Sequence, residues 1–298
     1  MRVTVFTPSY NRGYIIENLY RSLQRQSFTD FEWVVIDDGS TDNTEELFKK
    51  WTEEDNFFKI RYKRVNNGGK HRAVNCGVRL ARGELFFIVD SDDCLPDNSI
   101  EIIDRVEKTI PENDKMKFCG VCGLCGCLNE SNKIVGSTFF GDAYLDITSL
   151  EREKNHITGD KSEVFYTRLL KDYPFPEIDG EKFLTEAVVW DRIAFDGYKM
   201  RYFNIITYLC DYLDDGLTAA GYGLYSDNPA GWGFYIRQST DFGKLHGIEK
   251  WNEYLRFYYN TRNKLKFCEI AGCLNKSPIK FWIELFGVRL FYKLYDRE

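Results

Sequence analysis

The residues best suited to chemistry in this chain are aspartates that follow short apolar runs. Asp37-Asp38-Gly39-Ser40-Thr41-Asp42 follows Phe31–Ile36, and Asp90-Ser91-Asp92-Asp93 follows Leu85–Val89. Carboxylates gathered in one place are costly unless a positive charge or a hydrogen-bond donor sits among them. Mg2+ or Mn2+ takes hard oxygen ligands and is held by one or two carboxylates plus substrate phosphates, so Asp90-x-Asp92 suits a clamp on a metal and a diphosphate. Aspartates also cap turns and helix starts, a reading that fits Asp42 better than Asp92. Only Gly13 follows the first apolar run, so G-x-G-x-x-G is missing, and no G-x-x-x-x-G-K-[ST] occurs. Dinucleotide enzymes and P-loop hydrolases are disfavoured.

The elements that position these acids are legible from periodicity. Val3–Phe6, Phe31–Ile36 and Leu85–Val89 read as strands, and Phe58, Ile60 and Tyr62 alternate with lysine and arginine as a fourth. Helical spacing lies between them: Ile16, Leu19, Leu23; then Leu47, Phe48, Trp51; then Val74, Leu80, Ala81. Asp42 with Glu45 reads as a capping box, and Gly83 as a helix C-cap. Alternation at about 30 residues per unit implies right-handed β-α-β units and an α/β fold with a mainly parallel sheet flanked by helices. Ligands of such sheets bind at the carboxyl ends of the strands, where Thr7-Pro8-Ser9-Tyr10-Asn11-Arg12 and both aspartate runs lie.

Farther along, Ile100, Ile103, Val106 and Ile110 predict another helix. Phe118–Leu128 and Ile134–Phe140 flank the turn 129–133 and predict a strand hairpin, and residues 140–215 read as mixed with long loops. Gly216–Gly233, with glycine at 216, 221, 223, 231 and 233, reads as a mobile loop or linker. Residues 245–298 form a helical, aromatic-rich C-terminal extension. The expected division is a catalytic domain over 1–215 and a loop plus helical extension over 216–298. In the extension, Phe281, Leu285, Val288, Tyr292 and Tyr295 recur at helical spacing near Lys276, Lys280, Arg289 and Lys293. Such a helix lies on an anionic membrane surface, or packs on the catalytic domain or a second subunit of a homo-oligomer.

Composition narrows the class. The 298 residues are 43% hydrophobic, which excludes general disorder, and the net charge of −6 argues against a protein that coats nucleic acid. The charge is uneven: residues 245–298 carry 10 basic and 6 acidic residues, which leaves 30 basic and 40 acidic for residues 1–244. No signal peptide and no run of about 18 apolar residues is visible, so the expected location is the cytoplasm, peripheral at the inner face of the membrane if the extension touches lipid. The nine cysteines are then expected as reduced thiols. In the run Cys119-Gly120-Val121-Cys122-Gly123-Leu124-Cys125-Gly126-Cys127, strand alternation points Cys119, Cys125 and Cys127 one way and Cys122 the other. Small residues packing a buried strand account for it better than a metal site.

Val5-Phe6-Thr7-Pro8-Ser9-Tyr10-Asn11, Val35–Asp42, Asn66-Asn67-Gly68-Gly69-Lys70 and Asp90-Ser91-Asp92-Asp93 occur in the order and spacing of family 2 glycosyltransferases. The chain resembles an inverting, GT-A-fold member of that family, strongly over residues 1–110 and more weakly over 180–220. The resemblance implies a metal-dependent enzyme using Mn2+ or Mg2+, a nucleotide-sugar donor, most often a UDP sugar, and a saccharide or lipid-linked saccharide acceptor. It implies that Thr7, Pro8 and Tyr10 floor the nucleotide pocket and that Asp38 accepts the N3–H of uracil. Lys70 reaches base or phosphate, with His71 beside it. Asp90 lies near ribose and metal, Ser91 counts with the nucleotide site, and Asp92 binds the metal.

Inverting transfer also needs a general base on the acceptor hydroxyl. The family's base is an aspartate of a Glu-Asp pair six residues before an arginine; here Thr185-Glu186 precedes Arg192, so Glu186 takes that place and glutamate replaces aspartate. Asp191 is the rival, about 140° round a helix from Glu186. A nucleotidyltransferase would carry a glycine-rich basic loop after the first strand, which Thr7–Arg12 is not. A non-catalytic sugar-nucleotide-binding protein would keep the fold without a base, and the Thr185-Glu186 departure leaves that alternative open.

Overall fold

The computed structural model describes residues 1–130, 133–211, 213, 216, 219 and 221–295, with side chains through Val288. In chain order the elements are β1 (Val3–Ser9), α1 (Glu17–Gln24), β2 (Phe31–Asp37), α2 (Thr44–Glu53), β3 (Lys59–Arg64), α3 (Lys70–Leu80), β4 (Leu85–Ile88) and α4 (Ser99–Glu107). Then follow β5 (Phe118–Cys127), β6 (Leu145–Ile147), β7 (Lys161–Tyr166), α5 (Thr167–Asp172), α6 (Ala187–Phe195) and β8 (Lys199–Cys210). The last helices are α7 (Gly221–Ser226), α8 (Pro229–Asp241), α9 (Gly247–Thr261), α10 (Phe267–Cys273) and α11 (Pro278–Tyr295).

The chain divides into two compact units, Met1–Phe175 with Arg192–Tyr212, and Pro176–Asp191 with Leu213–Glu298. The division differs from a single cut near residue 215: Pro176–Asp191 goes with the C-terminal helices, and the boundary falls inside α6.

In the first unit an eight-stranded sheet, among the described residues, runs β3-β2-β1-β4-β7-β5-β8-β6. β1 pairs in parallel with β2 and β4, and β2 with β3. All seven residues of β2 and six of seven in β1 are buried, as expected of parallel strands covered on both faces. β3 closes the edge with Lys59, Arg61, Lys63 and Arg64, charges that discourage pairing with another chain. The far half is mixed: β7 pairs antiparallel with β4 and β5, β5 pairs in parallel with β8, and β6 pairs antiparallel with β8.

Several local expectations are corrected. α2 begins at Thr44 with Asn43 as N-cap, so Asp42 and Glu45 form no capping box. Instead the Asp42 carboxylate accepts from Thr44 N (3.1 Å) and Gly13 N (2.8 Å), while Glu45 pairs with Arg64 at 2.9 Å. Ala81, not Gly83, caps α3. Gly83 is needed for close approach, since a Cβ there would lie 2.3 Å from Thr4 N. Ile134–Phe140 forms no strand; its single bridge, Ile134 to Gly126, is all that remains of the predicted hairpin, because β7 and β8 occupy both sides of β5. Ser131 and Asn132 of that turn lie outside the described residues.

The cysteines of β5 are buried at 119, 122 and 125 and half-buried at 127. The β5–β8 register shifts between Phe118 and Gly120 and twice between Cys122 and Cys125, so the ladder along the cysteine run is irregular. Cys119 Sγ donates to Lys199 O at 3.2 Å, one thiol finding a backbone acceptor inside the sheet.

The second unit has its own core of Trp232, Ile236, Tyr254, Phe257, Ile270, Leu274, Phe281 and Leu285. Trp232 packs edge-on against Phe257 at 5.1 Å and donates its indole N–H to Glu253 at 2.9 Å. Of Gly216–Gly233, read from the sequence as a mobile loop, residues 221–233 are mostly helix: Pro229 fits the first turn of α8, and burial of Trp232 and Ile236 outweighs the weak helix propensity of glycine. Within Gly216–Gly233, residues 217, 218 and 220 lie outside the described residues. Phe281, Leu285 and Val288 point inward and are buried, whereas Ile279, Trp282, Ile283 and Phe286 line an exposed stripe of α11. The side chains of Arg289, Tyr292, Lys293 and Tyr295 lie outside the described residues. No helix among the described residues is long and apolar enough to cross a membrane.

Candidate functional site

The parallel order of β1 to β4 brings the loops that follow them to one edge of the sheet. Two of these loops are stitched together. Asn11, held at φ 52°, accepts from Thr41 N with its side-chain oxygen (2.7 Å) and donates its backbone N–H to Ser40 Oγ (2.9 Å). Positive φ is uncommon outside glycine and asparagine tolerates it best, so the residue type suits the turn. Of the predicted pocket floor, Pro8 is half-buried and Tyr10 is 48% exposed, its ring turned to solvent. Thr7 is buried, and its Oγ1 accepts from the Trp33 indole at 3.0 Å. The structure therefore gives the Thr7 side chain to the core, and only its backbone stays with the floor. Ser9 Oγ is buried with no hydrogen-bond partner among the described residues.

Asp37 and Asp38 separate sharply. Asp37 is fully buried, accepting from Ser40 N at 2.7 Å and from the Tyr62 hydroxyl, so it anchors the turn. Asp38 is fixed by the loop after β3: Gly68 N donates to Oδ1 (2.7 Å), Gly69 N to Oδ2 (2.8 Å), and the Asn67 amide to Oδ2 (3.2 Å). Gly39, at φ 82°, permits this approach, because a Cβ there would come within 2.9 Å of Asn67 N. Each carboxylate oxygen carries two lone pairs, so the donors leave Asp38 able to accept further hydrogen bonds.

Lys70 opens α3 and places Nζ 2.7 Å from Asp90 Oδ1. The sequence expectation had Lys70 reaching base or phosphate; the structure joins it to the first acid of Asp90-x-Asp92. His71 is buried on the same turn, its Nε2 3.1 Å from the Arg72 guanidinium. Ser91 and Asp92 form the turn beyond β4, Ser91 buried and Asp92 half-buried. Burial and then the neighbouring Asp90 push the Asp92 carboxyl up, with Arg12 and Lys70 pulling the other way. Asp93, more deeply buried, is pushed up to about 8 by burial first and Asp90 next.

Three acids within four residues, with the Asp90 charge raising both Asp92 and Asp93, form a site that favours added positive charge, and a divalent cation on Asp90 and Asp92 fits it. Among the described residues no group of three or more His, Cys, Asp or Glu is placed to hold a metal alone. A cation here would complete its shell with phosphate oxygens, the usual habit of Mg2+ and Mn2+ at nucleotide sites.

Sequence reasoning missed Tyr208 altogether. It sits near the end of β8, 115 residues past Asp93, donates its hydroxyl to Asp93 Oδ2 (2.5 Å) and accepts the Asp90 backbone N–H (3.0 Å). Cys94 bridges Leu209 in the same ladder, so β8 holds the acidic turn from behind. The only sequence signal was the strand pattern of 199–210, lost within a stretch read as mixed.

Glu186 and Asp191 belong to the second unit. Glu186 lies just before α6, its carbonyl accepting from Val189 N (3.0 Å) and Trp190 N (3.1 Å). Asp191 is buried and paired with Lys244 at 2.6 Å, so it has a structural partner that a general base would have to give up. Arg192, in the first unit, stacks over Tyr173 at 5.1 Å.

Known proteins bear on this arrangement. Residues 4–108 match the model of glycosyl transferase family 2. The poly(ribitol-phosphate) beta-N-acetylglucosaminyltransferase TarS of Staphylococcus aureus is 36% identical over 181 residues, 59% of this chain and 30% of TarS. A Campylobacter jejuni GalNAc(5)-diNAcBac-PP-undecaprenol beta-1,3-glucosyltransferase is 28% identical over 212 residues, 68% of this chain and 62% of that protein. The chain thus spans from under a third to about three fifths of the length of these relatives.

Among solved structures, TarS 1–349 with UDP-GlcNAc superposes with a TM-score of 0.62 at 21% identity, covering 89% of this chain and 74% of that one. The Pyrobaculum calidifontis mannosyltransferase PcManGT, in complex with GDP-Man and Mn2+, gives 0.54 at 17%, covering 99% and 82%. Residues 4–108 thus match glycosyl transferase family 2, and the chain shares the GT-A fold of these solved structures.

Proposed function

We propose that this protein is an inverting glycosyltransferase that moves a sugar from a nucleoside diphosphate sugar, a uridine one in the first place, to a hydroxyl of a surface polysaccharide or lipid-linked saccharide. The observation that carries the reading is the sheet edge where Asp38, immobilised by the 67–69 loop, accompanies the acids Asp90 and Asp92. The relatives support the reaction class: one transfers N-acetylglucosamine to poly(ribitol-phosphate) and another glucose to an undecaprenol-linked saccharide, by their names.

In this reading Asp38 accepts the N3–H of uracil, and the Gly68 and Gly69 amides keep its carboxylate oriented. Pro8, Tyr10 and the Thr7 backbone border the base, and Ser91 lies by the ribose. Lys70 exchanges its contact with Asp90 for the donor phosphates. Asp92, with Asp90, would hold Mn2+ or Mg2+, whose charge offsets that on the leaving diphosphate. Glu186 takes the proton from the acceptor hydroxyl as it attacks the anomeric carbon on the face opposite the diphosphate. A membrane contact, which a lipid-linked acceptor would favour, would run through the exposed Ile279, Trp282, Ile283 and Phe286 and not the buried Phe281 and Leu285.

Calorimetry with UDP, with and without Mn2+, tests the donor half; binding that ignores the metal would sink it. UDP release from UDP-glucose, UDP-GlcNAc and GDP-mannose, with water as acceptor, ranks the donors. Glu186→Gln should abolish turnover with UDP binding retained.

A further inference from the structure

Glu186 follows residues 181–185, which form no regular element, and it precedes the first turn of α6. A proton-accepting carboxylate on such a segment works only if the backbone is fixed, because misplacement by about 1 Å can cost on the order of 100-fold in rate. The bonds that fix it come from far along the chain. Asn228, 6% exposed, accepts the N–H groups of Lys182 (2.7 Å) and Phe183 (3.0 Å) on Oδ1 and donates Nδ2 to Leu224 O (2.8 Å). Glu181 accepts Ala230 N (2.6 Å) and Gly231 N (2.7 Å) in the first turn of α8, where unpaired N–H groups and the helix dipole favour a carboxylate.

Past Glu186 the pattern repeats. Gln238 donates to Val188 O at 2.8 Å, and Lys244 pairs with Asp191. The Thr185 and Tyr225 side chains are hydrogen-bonded to each other. Contacts at 181, 182, 183 and 185 before Glu186, and at 188 and 191 after it, all lead to residues 224–244. Asn228 uses three of its four hydrogen-bonding capacities here, two on the distant backbone of Lys182 and Phe183 and one on Leu224 O of α7.

We infer that Glu181, Asn228 and Gln238 are positioning residues for turnover, clamping the Glu186 segment to α7 and α8. The inference rests on the reading of Glu186 as the base. It also gives α8 a part in the reaction, since α8 supplies one side of the clamp.

The test is steady-state turnover of the full chain with Mn2+ and whichever of UDP-glucose, UDP-GlcNAc or GDP-mannose is hydrolysed fastest, alongside UDP calorimetry and amide hydrogen exchange. Asn228→Ala and Glu181→Ala should lower kcat by about 10- to 100-fold, as the misplacement estimate implies. The donor KM and UDP affinity should stay within twofold, and exchange should quicken over 182–190 but not over 66–72. Glu181→Gln, which keeps one acceptor oxygen, should fall between wild type and Glu181→Ala. Unchanged kcat or unchanged exchange over 182–190 in both alanine variants, with Glu186→Gln inactive, overturns the clamp and leaves the base reading standing. Loss of UDP affinity in step with kcat also overturns it, as a general structural role would do that. Full activity in Glu186→Gln overturns the base reading itself.

Discussion

The Tyr208 hydroxyl donates to Asp93 Oδ2 at 2.5 Å, a contact between the end of the longest strand and the acidic turn beyond β4. Because the same oxygen accepts the Asp90 N–H, one phenol fixes both ends of Asp90-Ser91-Asp92-Asp93.

Tyr208→Phe removes that phenol oxygen and strands the half-buried Asp90 N–H and the buried Asp93 carboxyl, the buried group costing about 1–3 kcal/mol when left unpaired. Thermal unfolding should show a drop of several degrees, roughly 2–4 °C per kcal/mol for a unit of this size. Mn2+-dependent UDP affinity should weaken with it. A variant with wild-type Tm and wild-type UDP binding would show that the turn is held by other contacts.

Lys70 and a divalent cation draw on the same carboxylate of Asp90. Lys70→Ala should therefore tighten Mn2+ binding several-fold in the absence of nucleotide, and weaken UDP binding in its presence. Electron paramagnetic resonance titration of free Mn2+ separates the two effects. Weaker Mn2+ binding without nucleotide would contradict the competition.

Asp38→Asn swaps one acceptor oxygen for an NH2 group facing the Gly68 or Gly69 N–H, a donor against a donor. Destabilisation of about 1–3 kcal/mol is expected, the usual cost of a buried polar group left unsatisfied. Amide exchange at Gly68 and Gly69 should accelerate, and UDP binding should be lost. Retained protection at both glycines would mean that the loop stands without Asp38.

Acid stability should depend on Arg2, which binds Asp104 at 2.6 Å and also meets Glu84 and the fully buried Glu107. Although burial opposes it, hydrogen bonds and charge from Tyr166, Arg2 and Lys115 hold the Glu107 carboxyl below its usual value, and Lys108 and Arg2 do the same for Asp104. Both folded pKa values are depressed, so this stabilisation is complete above the unfolded values near 4 and is lost as pH falls through the folded ones. Arg2→Met should cost stability at pH 7, at the low end of about 3–5 kcal/mol because Lys115 and Tyr166 stay on Glu107. Its urea-unfolding curve should then lose less stability than wild type between pH 5 and pH 3.

How far the sequence carried the site can be seen at Asp38 and Asp90. Both follow strands whose apolar runs were unmistakable, and β1 to β4 are parallel neighbours built from successive β-α units. Their burial is a local property, written in windows of five to ten residues, so the strands, helices α1 to α4 and the acidic strand ends were legible. Lys70 was expected to reach base or phosphate; its contact with Asp90 depends on the exact approach of α3 to β4, which no spacing encodes. Thr7 reads like a pocket residue until Trp33 is seen to need a hydrogen-bond acceptor.

The later half was less legible because its order is not sequential. β7 inserts antiparallel between β4 and β5, and the glycines at 221–233 fold into helices once Trp232 and Ile236 find Phe257 and Ile270. The sequence by itself determined which segments bury an apolar face and which acids lie at the ends of parallel strands, since periodicity and strand polarity are local. Only the tertiary structure decided that Tyr208 holds Asp93 and that Asn228 holds the backbone before Glu186. Those choices are made by buried donors and acceptors that must find partners 45 to 115 residues away, and no local window contains both members of the pair.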